Sequence, residues 1–94
     1  MDTPNAIYFA NRANAYLELL NFEECIADCN MAISIDKSFP KSYYRKSRAL
    51  ASKDKLVDAF DTINKAIELD PDNTDYKKYA EMLAEEIEIE NRIP

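Results

Sequence analysis

Apolar residues recur at steps of three and four along this chain, and short polar turns interrupt the pattern. Such spacing places apolar side chains on one face of a helix. It predicts five amphipathic helices, which begin near residues 5, 22, 40, 56 and 74. The chain contains no glycine and is rich in alanine, leucine, glutamate and lysine, a composition that favours helices over hairpins of strands. We therefore expect an all-α domain.

Residues that favour helix ends separate the predicted helices. Thr3 followed by Pro4 is typical of an N-cap and a first helical position, so the first helix is expected to run from about residue 5 to residue 19. Asn21 lies where a residue in the left-handed conformation would end that helix. Pro40 is expected to open the third helix, because the residue before a proline avoids the helical conformation.

The helices also repeat in pairs, because similar residues recur at an offset of 34 positions. The segment from Asn30 to Asp36 matches the segment from Asn64 to Asp70 in its asparagine, alanine, isoleucine and aspartate. Self-similarity at this period is typical of stacked helical hairpins. Since one hairpin leaves an apolar face uncovered, the second must pack on the first, and the fifth helix must cover the second. Small residues are expected to let the helix axes approach closely at Ala13, Cys25, Ala32, Ser47, Ala59 and Ala66.

The charge and the reactive side chains argue against several classes of function. A formal net charge of −6 disfavours nucleic-acid binding, which needs clustered cations. No apolar run is long enough to span or target a membrane, so we expect a cytoplasmic protein. The chain has no histidine, no glycine-rich phosphate loop and no recognisable nucleophile with a base, so we expect neither catalysis nor a bound cofactor or metal. Cys25 and Cys29 lie four residues apart on one predicted helix, which indicates reduced thiols in the core.

The residues of the repeat resemble the tetratricopeptide repeat family. Its large, small and aromatic positions correspond in the first unit to Phe9, Ala13, Tyr16, Cys25 and Ala32. In the second unit they correspond to Tyr43, Ser47, Leu50, Ala59, Ala66 and Pro71. Lys37 departs from the pattern, since the family usually has proline there. The resemblance implies a right-handed superhelical stack of two helix-turn-helix repeats, residues 6–39 and 40–73, followed by a capping helix over residues 74–91.

A narrower resemblance concerns the face that the family uses to bind peptides. The runs from Tyr8 to Ala13 and from Pro40 to Lys46 are similar to the dicarboxylate-clamp subgroup. In that subgroup, an asparagine, a lysine and an arginine hold the terminal carboxylate and the aspartate side chain of a Glu-Glu-Val-Asp tail. Such tails end the cytosolic heat-shock chaperones of the seventy- and ninety-kilodalton classes. The resemblance implies that the clamp residues here are Asn11, Lys41 and Arg45.

The chemistry of these side chains agrees with an anionic ligand. An arginine fork can bind a carboxylate through two hydrogen bonds, a lysine adds a mobile charge, and an asparagine adds an amide donor. One turn further along, Asn14 and Arg48 would reach the upstream acids or the backbone of a peptide, and Tyr44 would pack on an aliphatic side chain. Partly exposed hydrogen bonds of this kind give roughly micromolar binding, about 8 kcal/mol, which salt should weaken.

The sequence leaves other interpretations open. The cations between Lys41 and Arg48 are also compatible with a solvated helix face, and Asn11 with a structural hydrogen bond between helices. The chain could serve as the regulatory module of an enzyme such as a phosphatase or a peptidyl-prolyl isomerase. It could also be a scaffold that self-associates through the uncovered face of its first helix. The subgroup's first repeat has no counterpart here, which predicts a partial clamp in a fragment, in a natural two-repeat protein, or in an assembly whose second copy covers the open end.

Overall fold

The computed structural model describes residues 5–92 and contains five α-helices in that range. They are α1 Ala6–Glu18, α2 Phe22–Ile35, α3 Pro40–Ser52, α4 Leu56–Leu69 and α5 Thr74–Arg92. Each helix begins within one residue of the start that the apolar pattern predicts, and no strand occurs between residues 5 and 92. The predicted all-α class is therefore confirmed.

The helix starts show which residues satisfy the free backbone N–H groups. Asn5 caps α1, because its side chain accepts a hydrogen bond of 2.9 Å from the N–H of Tyr8. The predicted cap and first position, Thr3 and Pro4, lie outside the described residues. Pro40 occupies the first turn of α3, as predicted, because its fixed backbone angle suits that position and the missing N–H is not needed there.

The turn after α1 differs from the prediction in one residue. The left-handed residue is Leu20, with φ of 62°, whereas Asn21 has φ of −91°. The N–H of Leu20 bonds to the carbonyl of Leu17 at 3.0 Å, and the N–H of Asn21 bonds to the carbonyl of Tyr16 at 2.8 Å. This pair of bonds forms a Schellman motif, which requires the left-handed residue directly before Asn21. The turn between α3 and α4 repeats the arrangement, with φ of 62° at the residue 34 positions later.

The helices stack in chain order. α1 pairs with α2 and α3 pairs with α4, while α2 packs on α3 and α4 packs on α5. The first helices of the two hairpins, α1 and α3, also contact each other. The small residues that the repeat pattern placed between helices are all completely buried: Ala13, Cys25, Ala32, Ser47, Ala59 and Ala66. That prediction is confirmed.

An ion pair that the sequence analysis did not anticipate joins α1 to α2. Asp28 is buried on α2, and Arg12 donates to it from Nε at 2.6 Å and from Nη2 at 2.8 Å. The guanidinium also lies 5.4 to 5.9 Å from the ring centres of Tyr8, Phe9 and Tyr16. The two hydrogen bonds to Asp28 raise the pKa of Arg12. A buried carboxylate is costly unless it is paired, so this contact ties the first hairpin together.

Both cysteines are free and buried on α2, which confirms the predicted core thiols. The thiol of Cys25 points to the backbone carbonyl of Arg45 on α3, at 3.9 Å. The hydrogen bond to Cys25, together with burial, raises the pKa of Cys29. Neither cysteine has exposed surface, so both pack as small groups that fill the space between α2 and its neighbours. Among residues 5–92, no helix combines the length and apolarity needed to cross a bilayer.

Two serines on α3 are completely buried, but only one has a hydrogen-bond partner among the described residues. Ser47 donates its hydroxyl to the carbonyl of Ala59 at 2.6 Å, whereas the Oγ of Ser42 has none. We expect Ser42→Ala to raise the free energy of unfolding by about 1 kcal/mol, because a buried hydroxyl without a partner is destabilising. Ser47→Ala should lower it by about 1 kcal/mol, because a hydrogen bond is lost. Urea denaturation measures both changes, and a loss of stability in both variants would contradict this account.

The turn after α1 allows a second stability test. Leu20 is 70% exposed, so its side chain contributes little burial, while its left-handed backbone crowds the Cβ atom. We expect Leu20→Gly to stabilise the fold by about 1 kcal/mol, since glycine adopts this conformation without strain. Leu19 is the matched control, because it is 68% exposed but has φ of −84°. Leu19→Gly should destabilise the fold in the same thermal unfolding experiment, and a parallel change in both variants would refute the strain argument.

Candidate functional site

A groove of about 250 Å³ lies where α1, α3 and the start of α5 meet. The residues that line it are Asn14, Lys41, Tyr44, Arg45, Asn73, Asp75 and Tyr76. Four of them, Asn14, Lys41, Tyr44 and Arg45, are residues for which the sequence predicts peptide contacts. We call this feature the α1–α3–α5 groove.

Arg45 is fixed in the groove by the neighbouring hairpin. Its Nη1 donates to the backbone carbonyl of Ala10 on α1 at 2.7 Å, and its side chain is half-buried. This is the one hydrogen bond that the side chain of Arg45 makes to residues 5–92. A guanidinium has five N–H donors, so several of them stay available for a ligand. The contact with α1 therefore orients the arginine without using up its capacity to bind an anion.

Lys41 lies one helical turn before Arg45 on α3, so the two cations share a face of that helix. It is exposed and forms no ion pair with a described residue. Two neighbouring cations without acidic partners attract an anion into the groove. Asn14 faces them from α1, where its Nδ2 makes only a long hydrogen bond of 3.4 Å to Glu18.

Two of the six predicted site residues do not line the groove. Asn11 is exposed on α1, one turn before its groove-lining neighbour Asn14. Arg48 is exposed on α3, and its guanidinium lies 5.6 Å from the centre of the Tyr44 ring. The structure therefore brings Asn14, Lys41, Tyr44 and Arg45 together and leaves Asn11 and Arg48 outside this set.

The sequence analysis missed the three groove residues at the start of α5. Asn73 is the N-cap of that helix, since its Oδ1 accepts from the N–H of Tyr76 at 3.1 Å. Tyr76 is buried, and its place on the apolar stripe does not distinguish it from the core. Asp75 follows Lys41 by 34 positions, so an extension of the repeat into α5 would have identified it.

Comparison with known proteins identifies the fold. A family profile described as tetratricopeptide repeat matches residues 40–73. The solved Arabidopsis OM64 TPR domain superimposes with a TM-score of 0.85 at 35% identity, over 87% of this chain and 68% of that one. The chain belongs to the tetratricopeptide repeat family.

Two further relatives are similar to this tetratricopeptide repeat chain. The small glutamine-rich tetratricopeptide repeat-containing protein of Dictyostelium discoideum is 47% identical over 76 residues, which are 81% of this chain and 23% of that protein. The chain thus spans under a quarter of that relative's length. The second TPR domain of human RPAP3, solved in complex with the HSP70 peptide SGPTIEEVD, has a TM-score of 0.81 at 32% identity. That match covers 85% of this chain and 67% of the RPAP3 chain.

An aromatic cluster packs between α3 and α5 beside the α1–α3–α5 groove of this tetratricopeptide repeat chain. The Tyr44 ring lies 5.0 Å from the Tyr76 ring and meets the Tyr79 ring edge-on at 5.7 Å. Burial raises the pKa of Tyr76, and it raises the pKa of Tyr79 to about 12. Tyr44, which lines the groove and is half-buried, offers ring surface together with a hydroxyl group.

The remaining surface offers less for an anionic ligand. A groove of about 320 Å³ lies between the α3–α4 turn and the end of α5, but Asp54, Asp58 and Glu90 contribute acids to its lining. A single cation, Lys55, accompanies them. Among the residues for which coordinates are described, no three acidic, cysteine or histidine side chains come together as a metal site. The α1–α3–α5 groove is therefore the best candidate.

The half-buried phenol of Tyr79 makes the free energy of unfolding decrease at alkaline pH. A tyrosine in the unfolded chain ionises near pH 10, whereas burial raises the pKa of Tyr79 to about 12 in the folded protein. The stabilisation is fully present below pH 10 and is lost as the pH rises from about 10 toward 12. We expect Tyr79→Phe to reduce the slope of unfolding free energy against pH in this range, as measured by urea denaturation at fixed pH values. The same slope in both proteins would show that another group controls the alkaline transition.

Proposed function

We propose that this chain is a peptide-binding module that recognises acidic C-terminal peptides ending in Glu-Glu-Val-Asp, of the kind that heat-shock chaperones carry. The observation that carries the proposal is the groove itself, in which Lys41 and Arg45 from α3 and Asn14 from α1 line one space. The similarity to an RPAP3 domain solved with an HSP70 peptide ending in EEVD supports the same ligand class.

Each groove residue has a role that follows from its environment. Arg45 is oriented by the Ala10 carbonyl and offers its remaining donors to a carboxylate, so little side-chain entropy is lost on binding. Lys41 supplies a mobile charge for the second carboxylate. Asn14 donates an amide N–H from the facing helix, and Tyr44 provides ring surface for an aliphatic side chain of the peptide.

Asn11 and Arg48 belong to the proposal as outer contacts. Both are exposed and lie on the same helices as the groove residues, one turn from Asn14 and Tyr44 respectively. A peptide that continues out of the groove along α1 or α3 would meet them. Because they lie outside the groove, we expect each to contribute less than Lys41 or Arg45.

A second candidate function is self-association through the open face of α1. Tyr8 is 47% exposed and Leu19 is 68% exposed. The residues 34 positions later, Ser42 and Lys53, are buried and half-buried in the stack. A scaffold of this kind has no site for a terminal carboxylate. The acid and amide forms of a peptide should therefore bind to it equally.

Calorimetric titration with two peptides tests the proposal. One peptide ends in Glu-Glu-Val-Asp with a free carboxylate, and its twin is amidated. We expect dissociation constants on the order of micromolar for the acid at low salt, and at least about tenfold weaker binding for the amide, since a charged hydrogen bond contributes about 1.5–3 kcal/mol. Lys41→Ala and Arg45→Ala should each weaken binding of the acid by about tenfold for the same reason.

Lys65→Ala is the matched control, because Lys65 is an exposed cation on α4 outside the groove and pairs only with Glu68 at 3.8 Å. It should leave peptide binding unchanged. Equal binding of the acid and the amide would rule out the clamp and favour the scaffold. Undiminished binding by a protein that carries both Lys41→Ala and Arg45→Ala would also rule out the clamp.

A further inference from the structure

Equivalent positions of α1, α3 and α5 differ in their chemistry. One such position, at intervals of 34 residues, is occupied by Ile7, Lys41 and Asp75. It is apolar on α1, cationic on α3 and anionic on α5. Among residues 5–92, the cations that line the groove therefore come from α3, while α5 contributes the carboxylate of Asp75 and the phenol of Tyr76.

Among the described residues, Asp75 is the one acid that lines this groove. It is exposed on the first turn of α5, and its carboxylate makes no hydrogen bond or ion pair with any other residue between 5 and 92. The acids that directly follow α2 and α4 are engaged differently. Asp36 accepts from both the N–H and the hydroxyl of Ser38, and Asp70 accepts from Asn73. The carboxylate of Asp75 is therefore available to a molecule in the groove.

A ligand that crosses the groove meets charges of opposite sign at its two sides. Its carboxylates are attracted to Lys41 and Arg45, while any acid over the start of α5 is repelled by Asp75. A basic or amide side chain placed there would instead be attracted. The electrostatic pattern thus favours a peptide whose acidic end is preceded by a residue that is cationic or donates a hydrogen bond.

We propose that Asp75 is a specificity-determining residue, which selects peptides with a basic or amide side chain, and rejects those with an acidic one, upstream of the acidic C-terminus. This inference rests on the proposed function of the same groove. An acid on the first turn of a helix also interacts favourably with the helix dipole, which affects stability but not the choice of ligand. A measurement of peptide selectivity distinguishes a role of Asp75 in ligand choice from a role in helix stability.

The experiment uses acetylated peptides that share the end Glu-Glu-Val-Asp and differ at a single upstream residue, which is arginine, glutamine or glutamate. That residue is scanned through the four positions before the shared end. At the position that faces α5, we expect arginine to bind about two- to fivefold more tightly than glutamine, and glutamate about two- to fivefold more weakly, as for exposed charge pairs. Asp75→Asn should remove this dependence, and Asp75→Lys should reverse it.

Glu81→Gln is the matched control, since Glu81 is an exposed acid on α5 that does not line the groove. It should keep the wild-type selectivity with the same change in net charge. If Asp75→Asn lowers the melting temperature but retains the full selectivity, Asp75 serves only the helix and the inference is overturned. The acid and amide forms of the glutamine peptide are measured in parallel. If they differ while the upstream residue has no effect at any position, only this inference fails; if they bind equally, the proposed function fails as well.

Discussion

Close approach between helices is the constraint on which the rest of this structure depends. The hairpins contain alanine, serine and cysteine side chains that have no exposed surface, such as Ala13 and Cys25 in the first hairpin and Ser47 and Ala59 in the second. Small side chains let neighbouring helices pack at short axial distances, and larger residues such as Ile63 and Leu83 fill the spaces that remain. The same packing determines which groups of adjacent hairpins can meet.

The groove is a direct consequence of that packing. Ala10 is completely buried, and its side chain packs in a cluster with Ala32 of α2. Its backbone carbonyl accepts the hydrogen bond from Arg45 of α3. The thiol of Cys25 contacts the carbonyl of the same arginine from the other side. The first hairpin therefore orients Arg45 of the second hairpin. A substitution that changes the packing of the first hairpin is expected to change the binding groove as well.

Polar groups between the helices differ in how fully their hydrogen bonds are satisfied. The pair of Arg12 and Asp28 is well satisfied, with two hydrogen bonds and three aromatic rings around the guanidinium. The buried hydroxyl of Ser42, in contrast, has no partner among the described residues. Arg12 keeps 44% of its side-chain surface in solvent even though it is paired, because it lies on α1, before which no other helix packs within residues 5–92.

Periodicity alone determined the five helices, their order and the small residues between them, because a 34-residue repeat of apolar and small positions has few ways to bury its surface. The resemblance to the dicarboxylate-clamp subgroup pointed to Lys41 and Arg45, whose spacing of one turn places them on one helix face. Periodicity did not reveal Leu20 as the left-handed residue, since that depends on which carbonyls remain free at the end of α1. Nor did it reveal that Asn14 lines the groove with them while Asn11 does not, or that Asp75 and Tyr76 complete the wall. Those relations join different helices, so the distance and rotation between packed helices decide them, and a pattern within one helix does not contain that information.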